Sequence, residues 1–227
     1  MTAAAIIVAA GSGQRFGNEG KCFALTHGFP MAWWSLAAAA EATSIDEIVL
    51  VCGAHSQTAA QSLISLFAST KPVTITLGGL RRQDSTLAGV HATSAQATVV
   101  AIHDAARPLV TGDLFDRVVA AAREFGGAVA AVPVSDTIKR VADDFVRETI
   151  PRDELVSVQT PQAFRKSLLV DAFASAAESG TTVTDEASLI ESLGQPVRIV
   201  PGHTGNIKVT YPSDLILVEA LLRERSR

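Results

Sequence analysis

Short apolar runs alternate with longer helix-like stretches over most of this chain. The runs contain few polar residues, which is typical of strands buried on both faces of a parallel sheet. They lie at 3–10, 47–52, 73–77, 97–102 and 128–134. The predicted helices between them lie at 32–42, 56–68, 83–94 and 113–124. This alternation indicates successive βαβ units, so we predict an α/β fold with a mostly parallel sheet and helices on both faces.

The stretch 135–160 departs from this pattern. Residues alternate in polarity at 137–141 and again at 145–149, on either side of an acidic turn, which predicts a β-hairpin. Because a lone hairpin is only marginally stable in water, we expect it to pack against something, and a second subunit is a candidate. The remaining predicted elements are helices at 166–178, 185–193 and 212–224 and a short strand at 197–200. We expect a single domain over 1–227, with 135–160 as a protruding dimerisation arm.

Composition and charge narrow the range of functions. The 227 residues are 48% apolar, which is ample for a core, and 19 basic against 23 acidic residues give a net charge of −4. That balance argues against a broad basic surface for nucleic acid. No apolar run reaches the roughly 18 residues of a membrane span, and no basic leader precedes the first strand. Cys22 and Cys52 are too few for a disulfide framework. We therefore expect a cytoplasmic protein with no nucleic-acid or membrane partner.

Three polar loops follow predicted strands, beginning at Gly11, Gly78 and His103. In a parallel sheet such loops leave the carboxyl ends of the strands, where ligands bind. The loop from Gly11 to Lys21 is rich in glycine, which lets backbone N–H groups face an anion. Arg15 and Lys21 add positive charge to the same loop. This loop predicts a polyphosphate site; the alternative is a tight turn with solvated cations.

The loop matches neither of the common phosphate-binding patterns. A Walker A loop needs Ser or Thr after its lysine, but Cys22 follows Lys21. A dinucleotide fingerprint needs a third glycine where Phe16 stands, and an acidic residue at the end of the second strand, where 47–53 has none. These failures exclude the usual NTPase and NAD oxidoreductase patterns.

The second loop carries paired glycines, Gly78 and Gly79, which allow a flat ligand to approach the backbone. Ser85 lies near the start of the next helix, where its hydroxyl can donate to the edge of a nucleobase or cap the helix. Both roles stay open. Arg82 and Asp84 are close enough in sequence to pair with each other.

The third loop, His103-Asp104-Ala105-Ala106-Arg107-Pro108, places an acid at the end of a central strand. Asp104 there suits Mg²⁺ or a ribose, because Mg²⁺ takes one or two carboxylates plus phosphate oxygens. Arg107 suits a two-pronged contact to phosphate. The alternative is an Asp104–Arg107 ion pair that fixes the loop. We interpret His103 as structural.

Six ordered motifs make the chain resemble the 2-C-methyl-D-erythritol 4-phosphate cytidylyltransferases of the non-mevalonate isoprenoid pathway, over nearly its whole length. They are Ala10-Gly11-Ser12-Gly13-Gln14-Arg15, the His103–Pro108 loop, Asp136-Thr137-Ile138-Lys139, Gln159-Thr160-Pro161-Gln162, Thr184-Asp185-Glu186-Ala187 and Asn206-Ile207-Lys208-Val209-Thr210. Ribitol 5-phosphate cytidylyltransferases share part of this set. Ala106 and the Thr184–Ala187 segment favour the methylerythritol family.

The resemblance implies a Rossmann-like nucleotidyltransferase that joins CTP to a sugar-alcohol phosphate, works with Mg²⁺ or another divalent cation, and is a homodimer with exchanged arms. The implied catalytic residues are Arg15, Lys21 and Lys208. The implied CTP-binding residues are Ala10, Gly11, Ser12, Gly13, Gly78, Gly79, Asp84 and Ser85. The implied residues for the acceptor are Asp104, Arg107, Thr137, Arg152, Thr160 and Thr184, with Asp104 also beside the metal and Arg152 serving the neighbouring subunit.

The residue types agree with this chemistry. An acceptor phosphate is already an anion, so positioning and charge stabilisation suffice without a general base. The loop departs from the family at Gly20, where proline is usual, and at Cys22. Two alternatives stay open: a cytidylyltransferase for ribitol 5-phosphate or a related polyol phosphate, and a nucleotide-binding protein that has lost turnover.

Overall fold

A computed structural model of the chain describes residues 2–11, 16 and 20–225. The strands are β1 (Thr2–Ala9), β2 (Leu25–Thr26), β3 (Phe29–Pro30), β4 (Glu47–Cys52), β5 (Val73–Leu77), β6 (Ala97–Asp104), β7 (Gly127–Pro133), β8 (Ile138–Ala142), β9 (Phe145–Ile150), β10 (Val156–Arg165) and β11 (Arg198–Pro201). The helices are α1 (Met31–Glu41), α2 (Gln57–Leu66), α3 (Arg82–Ala92), α4 (Gly112–Phe125), α5 (Lys166–Ser179), α6 (Glu186–Ser192) and α7 (Pro212–Arg225).

The main sheet of the described chain has seven strands in the order β11-β7-β10-β6-β1-β4-β5. Strand β1 pairs in parallel with β4 on one side and β6 on the other, so it lies in the interior of the sheet. Only β10 is antiparallel to its neighbours in this sheet. The predicted α/β class with a mostly parallel sheet is therefore confirmed.

Helices cover both faces of this sheet, as predicted. Along β1, alternate residues such as Ala5 and Ile7 pack into one core with α1, α2 and α4. The residues between them, such as Ile6 and Val8, pack into a second core with α3, α5 and α6. Burial on both faces explains why this strand has no polar alternation.

Strand β10 is absent from the sequence prediction. Its sequence includes Pro161, which cannot donate to a sheet ladder, and polar glutamines, so it does not read as a central strand. The ladder with β7 is interrupted between Val158 and Gln162. The strand is held by neighbours on both sides, and it places the Gln159–Gln162 motif beside the end of β6.

Strands β8 and β9 form a separate two-stranded sheet, which confirms the predicted hairpin. Residues 156–160, at the end of the stretch predicted as an arm, lie in β10 of the main sheet. The hairpin exposes large apolar side chains: Val141, Phe145 and Val146 are each more than 60% exposed (64%, 70% and 61%). None of the helices that the structure describes is both long and apolar enough to cross a membrane.

Helix α7 fixes the last sequence motif. Val218 and Leu222 of this helix pack with Val209 and Met31 in a small core of their own. Val209 is fully buried there and its N–H donates to the Ala106 carbonyl at 2.8 Å, so the backbone next to Lys208 is anchored beside the loop that follows β6.

Candidate active site

Two adjoining clefts open at the carboxyl ends of the parallel strands. The large cleft has a volume of about 720 Å³ and includes residues from all three predicted loops. The small cleft has a volume of about 250 Å³ and is lined by residues of β10 and of the segment just before α6. Among the described lining residues, Arg82, Asp104 and Lys208 belong to both clefts. These three side chains therefore form a wall between the two spaces, which we call the shared wall.

Close backbone packing explains the paired glycines of the large cleft. A Cβ added at Gly78 would lie 2.6 Å from Ala10 Cβ and 2.6 Å from Ser85 Oγ, and one at Gly79 would lie 2.5 Å from Asp84 Cβ. The Gly78 N–H also donates to the Cys52 carbonyl at 2.9 Å. The ends of β1, β4 and β5 thus meet the start of α3 without intervening side chains. Ala10, Gly11, Gly78, Gly79 and Ser85 all line the cleft.

The start of α3 is capped by Asp84 rather than by Ser85. The Asp84 carboxylate accepts from the Arg81 N–H at 3.2 Å and pairs with the Arg81 guanidinium at 2.6 Å. Hydrogen bonds from Arg81 lower the pKa of Asp84. Ser85 Oγ instead donates to the Arg81 carbonyl at 3.1 Å. The Arg82–Asp84 pair that the sequence allows is not formed, because Arg82 pairs with Asp104 and Glu186 instead.

Four charged side chains form a continuous chain through the shared wall. Asp104 accepts from Arg82 Nη2 at 3.1 Å and from Lys208 Nζ at 2.6 Å, each on a different oxygen. Arg82 Nη1 also donates to Glu186 Oε1 at 2.6 Å. The suggested Asp104–Arg107 pair is replaced by these contacts. Together with Glu186, the shared wall thus joins β6, α3, α6 and the segment before α7.

The two carboxylates of this chain differ in their surroundings. Burial opposes ionisation of Asp104, but Arg82 and Lys208 outweigh it and hold its pKa well below the usual range. For Glu186, burial outweighs the opposing effect of Arg82 and Thr86 and raises its pKa. Asp104 is therefore a fixed anion that orients two cations towards the clefts.

Lys21 lies at the mouth of the large cleft. It begins a short 3₁₀ turn, Lys21–Phe23, and its Nζ donates to the Val209 carbonyl at 2.9 Å. The turn follows Gly20, whose φ of 87° is out of reach for proline. This conformation accounts for the glycine at position 20, where the family that the sequence resembles usually has proline. Cys22 is buried, and burial raises its pKa to about 11 despite Lys21, so the thiol is not activated.

The small cleft has a basic and hydroxyl-rich lining. Arg107, Thr160 and Thr184 all face it. Arg107 is held by the Asn206 carbonyl, which accepts from Nη1 at 2.8 Å, and burial lowers the pKa of this guanidinium. The small volume limits this cleft to an anion of modest size. A carboxylate or phosphate suits it, because charge-assisted hydrogen bonds to arginine are strong.

His103 supports the small cleft from behind. Its ring is fully buried, with Nδ1 at 2.9 Å from Thr160 Oγ1 and Nε2 at 3.2 Å from the Arg107 carbonyl. Burial lowers its pKa to about 4, so the ring is neutral at pH 7. The Asp104 N–H donates to the same Thr160 hydroxyl at 3.1 Å. His103 is structural, as predicted.

Some predicted site residues are not among the described lining residues of either cleft. Ser12, Gly13 and Arg15 are outside the described residues. Thr137 and Arg152 lie on or beside the exposed arm, and within the described part of the chain they are absent from the linings of both clefts. Arg152 donates to the Ser135 carbonyl, a contact within the arm.

Sequence reasoning missed Arg82, which belongs to the shared wall, and Glu186, which pairs with it. Arg82 stands beside Arg81, and nothing in the sequence separates the buried arginine from the exposed one. Glu186 belongs to the Thr184–Ala187 motif, but the motif does not reveal that only 1% of this residue is exposed. In the sequence, only the paired glycines before it pointed to Arg82, and only the Thr184–Ala187 motif pointed to Glu186.

The donor set fits Mg²⁺ only in company with phosphates. Among the described residues no group of three or more His, Cys, Asp or Glu could hold a metal ion. Asp104 is the carboxylate common to both clefts. Among the described residues its Oδ1 accepts twice from Arg82, whereas its Oδ2 accepts from Lys208 and keeps a second lone pair. One carboxylate with phosphate oxygens and water is a usual Mg²⁺ environment. The residues therefore fit a nucleotide-borne Mg²⁺ and not a metal held by protein alone.

Comparison with known proteins gives consistent results. A sequence model of the 2-C-methyl-D-erythritol 4-phosphate cytidylyltransferase family matches residues 3–224. The enzyme of that name from Alkaliphilus oremlandii is 40% identical over 223 residues, which are 97% of this chain and 94% of the relative. The one from Symbiobacterium thermophilum is 44% identical over 225 residues, 98% and 93% of the two chains.

Solved structures agree in fold. The 4-diphosphocytidyl-2C-methyl-D-erythritol synthase from Anaerococcus prevotii superposes with a TM-score of 0.87 at 30% identity and covers 98% of each chain. The 2-C-methyl-D-erythritol 4-phosphate cytidylyltransferase from Thermus thermophilus superposes with a TM-score of 0.79 at 31% identity, covering 96% of this chain and 98% of that one.

Proposed function

This chain belongs to the 2-C-methyl-D-erythritol 4-phosphate cytidylyltransferase family, and from this premise we propose how its two clefts perform cytidylyl transfer. The reaction joins CTP and 2-C-methyl-D-erythritol 4-phosphate into 4-diphosphocytidyl-2-C-methyl-D-erythritol and releases pyrophosphate. The observation that carries the proposal is the shared wall, which places Arg82, Asp104 and Lys208 against both spaces at once.

CTP occupies the large cleft in this proposal. Its flat base fits beside Gly78 and Gly79, which line this cleft and carry no side chain. Its triphosphate faces the loop from 10 to 21. The residues assigned to CTP are Ala10, Gly11, Ser12, Gly13, Gly78, Gly79, Asp84 and Ser85, with Asp84 acting as the cap that fixes the loop.

The acceptor phosphate occupies the small cleft. Arg107 supplies the charge, and Thr160 and Thr184 supply hydroxyl donors. Asp104 binds the hydroxyl groups of the acceptor, because a carboxylate accepts hydrogen bonds from hydroxyls. The two substrates then meet at the shared wall.

An oxygen of the acceptor phosphate attacks the α-phosphorus of CTP in line with the departing pyrophosphate. A new P–O bond forms as the bond to the β-phosphate oxygen breaks, and no proton has to be removed from the nucleophile. Lys21, Lys208 and Arg15 stabilise the charge that accumulates on the phosphates. Asp104 holds Arg82 and Lys208 in place for this task. Asp104 would hold Mg²⁺ together with oxygens of the triphosphate, and the ion would supply further charge neutralisation.

The arm serves a second copy of the chain in this account. The hairpin β8–β9 exposes Val141, Phe145 and Val146, and burying such side chains favours association. Thr137 and Arg152 would then complete the acceptor site of the partner in a homodimer. A cytoplasmic location agrees with two buried, free cysteines.

The test compares two acceptors with purified protein, CTP and Mg²⁺, and measures pyrophosphate release. We expect efficient release with 2-C-methyl-D-erythritol 4-phosphate and little with ribitol 5-phosphate. A preference for ribitol 5-phosphate would reassign the acceptor and keep the chemistry. Absence of pyrophosphate release with either acceptor, despite measurable CTP binding, would overturn the proposed activity in favour of a nucleotide-binding protein.

A further inference from the structure

Glu186 is a buried carboxylate that contacts no cleft in the described chain, although it belongs to the charged chain of the shared wall. It is the first residue of α6. Its Oε1 accepts from Arg82 Nη1 at 2.6 Å and from Thr86 Oγ1 at 2.8 Å. Its Oε2 is buried without a hydrogen-bond partner among the described residues. Both side chains that donate to Glu186 lie on α3.

Arg82 is held on two sides by this arrangement. Glu186 binds one terminal nitrogen, and Asp104 binds the other together with Nε, at 3.1 and 3.3 Å. A planar guanidinium with two anchored edges has one orientation, whereas one anchor would leave the long side chain free to rotate. The fixed orientation keeps the cation between the two clefts.

The position of Glu186 is itself tightly determined. Asp185 caps α6 by accepting from the Ser188 N–H at 3.2 Å, and it accepts from Gln162 Nε2 at 3.0 Å. Gln162 in turn accepts from the Ala187 N–H at 3.3 Å. The small cleft is lined by Asp185, Gln162 and the preceding Thr184. Contacts made by an acceptor in that cleft are therefore linked to Arg82 through one rigid segment.

We propose that Glu186 is a positioning residue for cytidylyl transfer, which orients Arg82 so that the shared wall meets both substrates at once. The inference rests on the proposed function, since it concerns the same two clefts. A purely stabilising role fits the contacts less well. A buried carboxylate with one unpaired oxygen adds little net stability, because desolvation offsets the gain from its ion pair.

The test is a double-mutant cycle between Glu186→Gln and Arg82→Lys. Glutamine keeps the shape of Glu186 and an oxygen for Thr86 but removes the charge that orients Arg82. Steady-state kcat and KM for both substrates, CTP affinity by calorimetry and thermal unfolding are measured for each variant. Asp116→Asn is the matched control, because Asp116 accepts from Thr43 and Ser44 in a comparable network remote from both clefts.

For Glu186→Gln we expect kcat to fall on the order of 10- to 100-fold, as for misplaced catalytic groups, with a raised KM for the acceptor and weaker CTP binding, because Arg82 lines both clefts. The double variant should be no worse than Arg82→Lys alone, since both changes remove the same orientation. Asp116→Asn should lower thermal stability and leave kcat unchanged. If Glu186→Gln does not fold, Thr86→Val, which removes one donor to the same oxygen, should show a smaller fall in the same direction.

Two results would overturn the inference. One is wild-type kcat and KM in a folded Glu186→Gln, with or without a loss of thermal stability. The other is a double variant whose loss is the product of the single losses. Absence of turnover by the wild type would instead overturn the proposed function, and this inference with it, so the two failures are distinguishable.

Discussion

Mild acid should destabilise this fold through His103. The ring is fully buried, and burial lowers its pKa from 6.5 to about 4. Between these two values the unfolded chain binds a proton more readily than the native protein does. The contribution of His103 to stability is therefore fully present above pH 6.5 and is lost as the pH falls towards 4. The neutral ring matters because it joins Thr160 to the carbonyl of Arg107 behind the small cleft.

The structure sets the size of this effect. A pKa lowered from 6.5 to about 4 corresponds to a loss of ~3 kcal/mol once the pH is below 4, and to ~2 kcal/mol at pH 5. Asp104, whose pKa is held well below its usual range, loses its contribution only at lower pH. Glu186 has the opposite effect on the pH dependence of stability. Because its pKa is raised, the native state takes up a proton before the unfolded chain does as the pH falls, and this favours the native state.

The assay is urea unfolding of the wild type and His103→Gln at pH 7, 6 and 5, at one fixed protein concentration. Glutamine offers polar atoms to the same partners but does not titrate, so Glu186 and the remaining groups contribute equally to both proteins. We expect the wild type to lose ~2 kcal/mol more than the variant between pH 7 and 5. Parallel pH profiles would show that the buried ring does not carry this dependence and would refute the reasoning.

Three other perturbations have defined outcomes. Lys208→Ala should lower kcat by about 10²-fold, as for a lost transition-state contact, whereas Lys166→Ala, whose Nζ binds a carbonyl at the opposite end of β6, should leave steady-state kinetics unchanged. Mixing Arg152→Ala with Lys21→Ala chains should restore roughly a quarter of wild-type activity, because half of the random dimers hold one intact site; no recovery in verified mixed dimers would contradict exchanged arms. Gly78→Ala should cost about 1–3 kcal/mol by crowding and weaken CTP binding in calorimetry; unchanged unfolding would contradict the close packing.

Much of the fold could be predicted because local pattern and topology agree. Strands buried on both faces are apolar throughout, as in β1, and parallel strands bring their carboxyl ends to one edge. The convergence of the loops at Gly11, Gly78 and Asp104 follows from this rule and is confirmed by the large cleft. The hairpin was predictable for a different reason, since its residues alternate in polarity.

The remainder depends on tertiary partners that the sequence does not display. Strand β10 carries Pro161 and glutamines, and only neighbours on both sides make it a strand. Arg82 and Glu186 become one unit because the first residues of α3 and α6 lie in contact, and no spacing between positions 104 residues apart encodes that contact. Gly20 illustrates a third case, in which a departure from the family pattern reflects a left-handed backbone conformation.

The central claim is that two substrates react across the shared wall without hydrolysis. The most direct measurement uses 2-C-methyl-D-erythritol 4-phosphate labelled with ¹⁸O in its phosphate, with CTP and Mg²⁺, and follows the label by mass spectrometry and phosphorus NMR. The account predicts that all label appears in the cytidyl diphosphate product, including the bridging oxygen, and none in pyrophosphate. Formation of CMP without labelled product, or label in the released pyrophosphate, would contradict it.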